Sequence, residues 1–351
     1  MNTYFLRDVS SFDIEDIFKL SSLLNTLNLP ANESELKKVI TNSELSFSQQ
    51  ETDIQQRSFL FVLCDQSNRV FGTSQIFAKH GTLSSPHLYF QVDHDERYSE
   101  TLKKFFRHRT LRLMQNFDGP TEIGSLVLHN SLRSSPHKLG TMLSYVRFLF
   151  MAMRPHYFAS GVLAELLPPL GANFESSLWN AVGHKFTGLS YYEADMISRT
   201  NKEFIKTLFP TCEIYASLLP KNAQDVIGQV GPQSKGAAHL LSKIGFRYSN
   251  RVDPFDGGPH FEADLTSISL IREASRGRLI IDNTREYTTH GLIGRYTPKS
   301  ESGNRFRASM SAFMANKEVI YAPPATAALL DAKDGDEVSV IPASAPGQAL
   351  F

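Results

Sequence analysis

The sequence contains little cysteine, no excess of either charge and no long apolar run. Its two cysteines, Cys64 and Cys212, are far apart and match no metal-ligand spacing, so we expect buried reduced thiols and no metal site. Lysine plus arginine and aspartate plus glutamate both number 36, which removes the electrostatic argument for nucleic acid as a partner. The most apolar stretch, residues 145–153, is interrupted by Arg147 and is far too short to cross a bilayer.

The N-terminal segment carries acidic side chains where a secretory signal would have a basic head and an apolar run. The 351 residues are 41% hydrophobic and 21% charged, a composition typical of ordinary globular proteins with a large core. We therefore expect a cytoplasmic protein that binds neither nucleic acid nor membranes.

Hydrophobic patterning predicts a mixed α/β fold in the first half of the chain. The predicted order is strand, two helices, hairpin, strand, helix and strand. Strands are expected at residues 4–7, 59–64, 70–76, 122–128 and 161–166, with 59–64 and 70–76 forming the hairpin. Helices are expected at residues 14–24, from residue 32 and from residue 140. Residues 80–118 show less regular patterning. The order resembles that of the GCN5-related N-acyltransferase fold, a mixed sheet with flanking helices.

The second half predicts further helices and strands and a distinct tail. Helices are expected at residues 176–185, 201–208 and 237–244, and strands at 246–252 and 260–265 on either side of a DGGP turn. A helix at 325–330 and a strand at 337–341 lie in the tail. We expect an acyl-CoA-dependent N-acyltransferase region at residues 1–270 and a small β-rich C-terminal module at 271–351.

The most specific motifs lie between residues 223 and 262. The blocks IGQV-x-PQ, GFRY, VD-x-FDGGP and the closing Glu262 resemble the arginine N-succinyltransferase family. The resemblance extends over residues 4–345 and implies transfer of succinyl from succinyl-CoA to the α-amino group of arginine or ornithine in arginine catabolism. It implies direct attack in a ternary complex, with no metal and no covalent enzyme intermediate.

A histidine with a proton-transfer role stands between the Val and the Pro of the first block in that family, and here the position is Gly231. Glu122, at the start of a predicted strand, is a substitute base by analogy with the broader fold, or else an exposed acid at a strand end. If the rest of the site is intact, restoring a histidine at 231 should raise the rate. Without a base, proximity and oxyanion stabilisation would still give some turnover.

In acyltransferases of this fold, strand backbone pairs with the pantetheine arm of CoA and a helix N-terminus holds the pyrophosphate. The resemblance assigns the backbone contact to Leu126. The family's Arg and Gly-x-Gly loop is two residues longer here, with Lys138 in place of the first glycine. That lysine would supply charge, or Pro136 would hold the loop in a shape that binds nothing. The expected CoA-binding residues are Leu126, Val127, Leu128, Arg133, Lys138, Leu139, Gly140 and Thr141.

Arginine and succinyl need carboxylates for the guanidinium and cations for the two carboxylates. The resemblance offers Asp253, Asp256 and Glu262 as the acids and Arg147 and Arg247 as the cations. Each has a structural alternative, since an Asp before Gly-Gly-Pro commonly bonds its own backbone.

Two family arginines are replaced, by Leu167 within Ala164-Glu165-Leu166-Leu167-Pro168 (family A-E-M-R-G) and by Gln91. These losses keep two alternatives open: a catalytically impaired paralogue or subunit that binds or regulates, and acyl transfer with another donor or amine. We expect a homo-oligomer or a hetero-oligomer with a homologous subunit. The alpha subunits of heteromeric arginine/ornithine succinyltransferases also lack the double glycine.

Overall fold

The computed structural model describes residues 3–22, 29–30, 32–83, 85–133, 135–198, 201–299 and 303–343. The chain forms two compact units. The first unit comprises Met1–Lys79, Thr121–Ser160 and Asp264–Phe351, and the second comprises His80–Pro120 and Gly161–Ala263. Each unit is made of separate segments of the chain, whereas the expected boundary at residue 270 divides the chain once. That boundary remains a prediction.

The strands of the described residues are numbered in chain order. They are β1 (Tyr4–Asp8), β2 (Ser58–Asp65), β3 (Val70–Phe77), β4 (His87–Ser99), β5 (Lys104–Asn116), β6 (Thr121–Leu128), β7 (Gly161–Glu165), β8 (Ile214–Tyr215), β9 (Arg247–Val252), β10 (Pro259–Asp264), β11 (Ser275–Ile281), β12 (Thr289–Tyr296), β13 (Phe306–Ala315), β14 (Val319–Ala322) and β15 (Glu337–Pro342).

The α-helices of the described residues are numbered in the same way. They are α1 (Ile14–Ser22), α2 (Glu33–Phe47), α3 (Leu139–Met153), α4 (Ser177–Ala181), α5 (Gly183–Thr187), α6 (Tyr191–Ser198), α7 (Glu203–Leu208), α8 (Lys221–Val226), α9 (Lys235–Lys243), α10 (Ser269–Arg272) and α11 (Pro324–Leu330). None of them is both long and apolar enough to cross a membrane.

The first unit is a mixed sheet with strand order β12-β15-β11-β14-β13-β1-β2-β3-β6. Its pairs are antiparallel except β11 with β14, which run parallel. β2 is buried along almost its whole length, which explains the continuous apolar run FLFVLC of a strand covered on both faces. The apolar run 145–153 lies in α3. There Phe150 packs against Phe47, Phe59 and Phe61 with ring centroids 4.7–5.5 Å apart. The predicted α/β class is confirmed.

The strands of the C-terminal tail belong to the first unit's sheet. β13 pairs with β1, with Leu6 opposite Ala308, and β13 begins inside a polar part of the sequence, residues 299–312 (KSESGNRFRASMSA). Its alternation places Phe306 and Ala308 in the core, so period-two burial survives in a segment rich in Ser and Arg. The predicted helix and final strand of the tail are present as α11 and β15.

The second unit is a sheet of order β7-β10-β9-β4-β5-β8 with short helices. Residues 80–118, which lacked clear patterning, contain a long antiparallel hairpin in which His87 pairs with Asn116 and Ser99 with Lys104. The distal parts of β4 and β5 are exposed on both faces, so polar and charged residues hide the alternation that marks a strand.

The helix predicted at 176–185 is wrong as a single helix. Its first half is α4 and its second half is α5, with an interruption at Val182 (φ −121°, ψ −74°). The cause is close packing at Gly183, where an added Cβ would lie 2.3 Å from the ring of Trp179. That indole is fully buried and stacks on Phe255 at 5.0 Å. As the only tryptophan of the chain, it reports on the second unit.

We predict that Asp8 makes the protein less stable as the pH rises. Its carboxylate accepts the backbone N–H groups of Arg305 and Phe306 at 3.2 and 3.1 Å, but burial outweighs these bonds and raises its pKa to about 6. Below the unfolded pKa of 3.8 the carboxyl is protonated in both states and does not lower the free energy of unfolding. Above the folded pKa it is ionised in both states, and burial of the charge lowers the free energy of unfolding by the full amount. The difference corresponds to about 3 kcal/mol between pH 4 and pH 7.

The measurement is urea unfolding followed by circular dichroism at several pH values. Between pH 4 and 7 the free energy of unfolding of Asp8→Asn should fall less steeply than that of the unsubstituted protein. Asp93→Asn, at an exposed position, is the matched control and should follow the parent curve. Parallel curves for Asp8→Asn and the parent would contradict the prediction.

Candidate active site

Strand β6 contains a bulge at the point where the acyl donor is expected. Thr73 of β3 lies opposite Val127, whereas Gln75 lies opposite Gly124, so β6 has one residue more than β3 between these pairs. Ser125 takes the left-handed conformation (φ +49°) inside this bulge. A bulge bends the strand and leaves a backbone group without a ladder partner.

Side chains hold this bulge in place. Thr73 Oγ1 donates to the carbonyl of Ser125 at 2.9 Å, and Ser125 Oγ donates to Gln75 Oε1 at 2.9 Å. Leu126, expected to contact the donor through its backbone, follows directly, and β6 ends two residues later with Val127 and Leu128. The geometry therefore supplies a kinked strand end of the type that backbone recognition of a pantetheine arm requires.

The predicted phosphate loop keeps the backbone form of glycine despite its sequence. Lys138 precedes α3 with φ +49° and ψ +42°, in the left-handed region where glycine is favoured. Thr141 and Met142 donate their N–H groups to its carbonyl at 2.9 and 3.1 Å. The N–H groups of a first helical turn have no acceptor within the helix, which suits them to anions.

Gly140 stands in this first turn beside open space. An added Cβ would meet only Leu128 Cδ2, at 4.0 Å, and φ lies outside the left-handed region. The fold itself therefore does not need glycine at this position. Arg133 and Leu139 belong to the same segment, with Leu139 buried and Arg133 exposed.

Glu122 is buried near the start of β6, at 5% exposure, so the alternative of an exposed strand-end acid is wrong. Arg147 lies on α3 and is also buried. It donates from Nε to the carbonyl of Ser144 at 3.0 Å and from Nη2 to Ser144 Oγ at 2.9 Å, and burial lowers its pKa to about 9. All candidates named so far lie in the first unit.

The candidate acids of the DGGP turn lie in the second unit and bond mainly to their own backbone. Asp253 Oδ1 accepts the N–H of Phe255 at 2.6 Å, and Asp256 Oδ1 accepts that of Gly258 at 2.7 Å. Burial, with the charge of Glu165, raises the pKa of Asp253 to about 7. Burial and Asp253 raise the pKa of Asp256 well above its ordinary value. The raised pKa makes Asp256 a weaker partner for a guanidinium than an ordinary carboxylate.

The other predicted polar residues lie on the adjacent strands β9 and β10. Glu262 is opposite Arg247 in the register, but its carboxylate pairs with Arg251 at 3.1 Å. Arg247 is exposed. Gln91, in place of a family arginine, donates Nε2 to the carbonyl of Asn250 at 3.2 Å.

Gly231 occupies a place where no side chain fits. Its N–H donates to the carbonyl of Leu167 at 2.8 Å, and an added Cβ would lie 2.4 Å from the carbonyl oxygen of Pro168. The family motif has glycine where this chain has Pro168, and histidine where it has Gly231. Both substituted positions belong to one contact, in which the atom that an added Cβ would meet is the backbone carbonyl oxygen of Pro168.

A cluster of one glutamate and three histidines was not predicted from the sequence. Glu165, the last residue of β7, is surrounded by His80, His87 and His260, whose Nε2 atoms lie 4.0, 3.2 and 3.5 Å from its Oε1. These residues are far apart along the chain and form no recognisable spacing, so only the fold brings them together.

Comparison with known proteins gives consistent results. The family model described as arginine N-succinyltransferase beta subunit matches residues 4–270. The arginine N-succinyltransferase of Yersinia pestis (strain Pestoides F) is 31% identical over 97% of this chain and 98% of that protein. The arginine N-succinyltransferase subunit beta of Pseudomonas aeruginosa is 30% identical with the same coverage. The solved structure of arginine/ornithine succinyltransferase subunit AI from Pseudomonas aeruginosa matches 98% of this chain and 100% of its own, with a TM-score of 0.83 and 26% identity.

The close contact at Gly231 changes the expected result of restoring the histidine. We predict that Gly231→His lowers the free energy of unfolding by about 1–3 kcal/mol, the usual cost of overpacking, and does not raise activity. Urea unfolding followed by Trp179 fluorescence measures the first effect, and thiol release from succinyl-CoA measures the second. Gly236→His, where an added Cβ meets nothing within 4 Å, is the control for the same substitution.

The double variant Pro168→Gly/Gly231→His separates steric from chemical effects. Removing the proline ring and relaxing its backbone should recover part of the lost stability, giving a favourable coupling in a double-mutant cycle. A Gly231→His protein as stable as its parent and faster in thiol release would contradict our reading of this contact.

Proposed function

Because the chain belongs to the arginine N-succinyltransferase family, we propose that it transfers succinyl from succinyl-CoA to the α-amino group of arginine or ornithine, as an N-acyltransferase of arginine catabolism. The observation that carries the proposal is the backbone geometry between β6 and α3. The bulge at Ser125, the left-handed Lys138 and the open space at Gly140 are the features that an acyl-CoA thioester requires.

The backbone of Leu126, Val127 and Leu128 would pair with the pantetheine arm of CoA. The first turn of α3, at Leu139, Gly140 and Thr141, would line the pyrophosphate, with N–H donors from Leu139 and Gly140 and charge from Arg133 and Lys138. The N–H of Thr141 donates to the carbonyl of Lys138 and so closes the first turn. This division explains why the loop tolerates lysine in place of glycine. Backbone donors are supplied by conformation, and Lys138 adopts the conformation of the residue that it replaces.

In the reaction, the neutral α-amino nitrogen attacks the thioester carbonyl carbon, the C–N bond forms and the C–S bond breaks. The CoA thiolate leaves, and the proton lost by the amine must be accepted by another group. Gly231 cannot accept it, and we propose Glu122 as the substitute. Binding and orientation of the two substrates would supply most of the remaining rate enhancement.

For the acceptor, we propose Asp253 and Glu262 as partners of the cationic groups of arginine, and Arg147 and Arg247 as candidates for carboxylates. Asp256 is a weaker candidate, since its raised pKa disfavours the charged form that would pair with a cation. These assignments rest on the family resemblance, because each side chain also has a partner or a position that the fold alone explains.

A second candidate function is that of a catalytically impaired subunit that binds CoA or arginine. The closed contact of Gly231 with Leu167 and Pro168 favours it, because no histidine can return there without rearrangement. A thiol-release assay with succinyl-CoA and arginine separates the two functions. Turnover supports the enzyme, and CoA binding without turnover at high protein concentration supports the impaired subunit.

We also propose assembly with a copy of this chain or with a homologous subunit. Two matched proteins are named as subunits. The tip of the β4–β5 hairpin exposes Tyr98, Leu102 and Phe105, with 81% of Phe105 accessible, an apolar surface of the kind that partners cover. A cytoplasmic location remains a prediction.

Gly140 provides a sharp test of the CoA site. We predict that Gly140→Ala weakens CoA binding at least ~10-fold, or by about 1.4 kcal/mol, because the new methyl group enters the open space in front of the first helical turn. Stability should be unchanged or slightly higher, since alanine is the better helix former. Calorimetry with CoA and thermal unfolding measure the two effects.

Gly236→Ala is the matched control. Gly236 is the second residue of α9 as Gly140 is of α3, and an added Cβ there also finds open space. It should leave CoA affinity at the parent value. Equal CoA affinity in Gly140→Ala and Gly236→Ala would exclude the first turn of α3 as the phosphate site.

The hairpin tip gives a test of assembly. We predict that Phe105→Glu lowers the mass measured by light scattering after gel filtration, because a charge cannot be buried in an apolar interface without a partner. Phe12→Glu, at a phenylalanine exposed elsewhere on the chain, should leave the mass unchanged. A parent protein that is already monomeric at high concentration would rule out self-association through the tip.

A further inference from the structure

Three side chains of the second unit, of types that can bind a metal, converge on one point. His80 precedes β4, His87 is the first residue of β4, and Glu165 is the last residue of β7. One ligand atom from each lies within 4.8 Å of the others. The group draws on separate parts of the chain, so its convergence is produced by the fold.

The separations fit a shared ion better than direct bonds. Zinc bound to imidazole nitrogen and carboxylate oxygen at about 2.0–2.2 Å in a tetrahedron places neighbouring ligand atoms about 3.3–3.5 Å apart. The Nε2 atom of His87 lies 3.2 Å from Glu165 Oε1, and that of His80 lies 4.0 Å away. Small side-chain movements would bring both into the range that a common metal imposes.

The Nε2 atom of His87 lies 3.2 Å from Glu165 Oε1, an ion-pair distance, but without the alignment of a hydrogen bond. Only 2% of the His87 side chain is exposed, and neither ring nitrogen has a hydrogen-bond partner among the described residues. A buried imidazole normally satisfies at least one nitrogen, since an unsatisfied buried polar atom costs about 1–3 kcal/mol. A short distance without hydrogen-bond alignment is expected for two ligands that point towards a third atom.

The donor set of the group favours a cation. Imidazole nitrogen and carboxylate oxygen are both ligands of divalent transition metals. The site offers two imidazoles and one carboxylate, and the side chains of His80 and Glu165 are 20% and 28% exposed, which gives an ion a path of entry.

We propose that His80, His87 and Glu165 bind one divalent transition-metal ion, with zinc as the preferred ion. Two imidazoles and one carboxylate form a ligand set of borderline softness that suits zinc, cobalt and iron better than magnesium or calcium. Three protein ligands leave one coordination position for water. The ion would tie the start of β4 to the end of β7.

His260 supports this site from outside the three ligands. Its ring stacks on that of His87 at 5.2 Å and its Nε2 lies 3.5 Å from Glu165 Oε1. It is fully buried, and no hydrogen-bond partner for its ring is found in the described parts of the chain. We assign it the role of a positioning residue that orients His87 and Glu165.

The test is metal binding by the full chain, prepared without a histidine tag and stripped with a chelator. Calorimetry with Zn²⁺ and absorption spectroscopy with Co²⁺ should show one bound ion per chain. Zn²⁺ should also raise the melting temperature, because it binds the folded state only. His80→Gln and Glu165→Gln should each weaken Zn²⁺ binding at least ~10-fold and abolish the thermal shift.

His239→Gln is the matched control. It removes an exposed histidine from α9, outside the group, and should keep the parent stoichiometry and affinity. Trp179 fluorescence verifies that each variant is folded, so loss of binding cannot be attributed to unfolding. Absence of a stoichiometric ion in the parent protein would overturn the proposal, as would equal Zn²⁺ affinity in the parent and both ligand variants.

Discussion

The close backbone contact at Gly231 is the constraint on which the second unit depends. Three segments meet there through main-chain hydrogen bonds: Gly231 to Leu167 at 2.8 Å, Leu166 to Pro259 at 3.1 Å, and Gly228 to Gly257 at 2.9 Å. At Gly231 this packing leaves no room for a side chain, since an added Cβ would lie 2.4 Å from the carbonyl oxygen of Pro168. The position of the family's catalytic histidine has therefore become part of the packing, and its chemistry cannot be restored independently of the neighbouring Pro168.

The same packing determines the electrostatics of the second unit. Glu165 and the DGGP turn, with Asp253 and Asp256, place three carboxyl groups in one region of low exposure. Burial and mutual repulsion raise the pKa values of the two aspartates, whereas the neighbouring imidazoles hold the pKa of Glu165 well below its ordinary value. The same packing brings His80 and His87 to Glu165, and this convergence is the arrangement from which we infer a metal ion.

In the first unit the predicted binding groups belong to the backbone, in contrast to the side chain that is absent at Gly231 in the second unit. Its predicted phosphate loop has lysine where the family has a glycine, yet Lys138 has a left-handed backbone and Gly140 faces open space. Recognition through backbone groups places few demands on side chains, so a substitution affects such a site less than it affects a catalytic residue. The CoA site that we propose depends on this difference, because it needs backbone groups whereas proton transfer needs a particular side chain.

The sequence by itself determined the elements whose burial follows a simple period. β2, β3, β6 and α3 were predicted within two residues, and the motifs between 223 and 262 identified the family. The tertiary structure alone decided the long β4–β5 hairpin, the break between α4 and α5, and the burial of Glu122. It also decided the contact between Gly231 and Pro168 and the gathering of histidines around Glu165. The physical reason is that periodicity records which face of one element is buried, whereas these features depend on contacts between residues far apart in the chain.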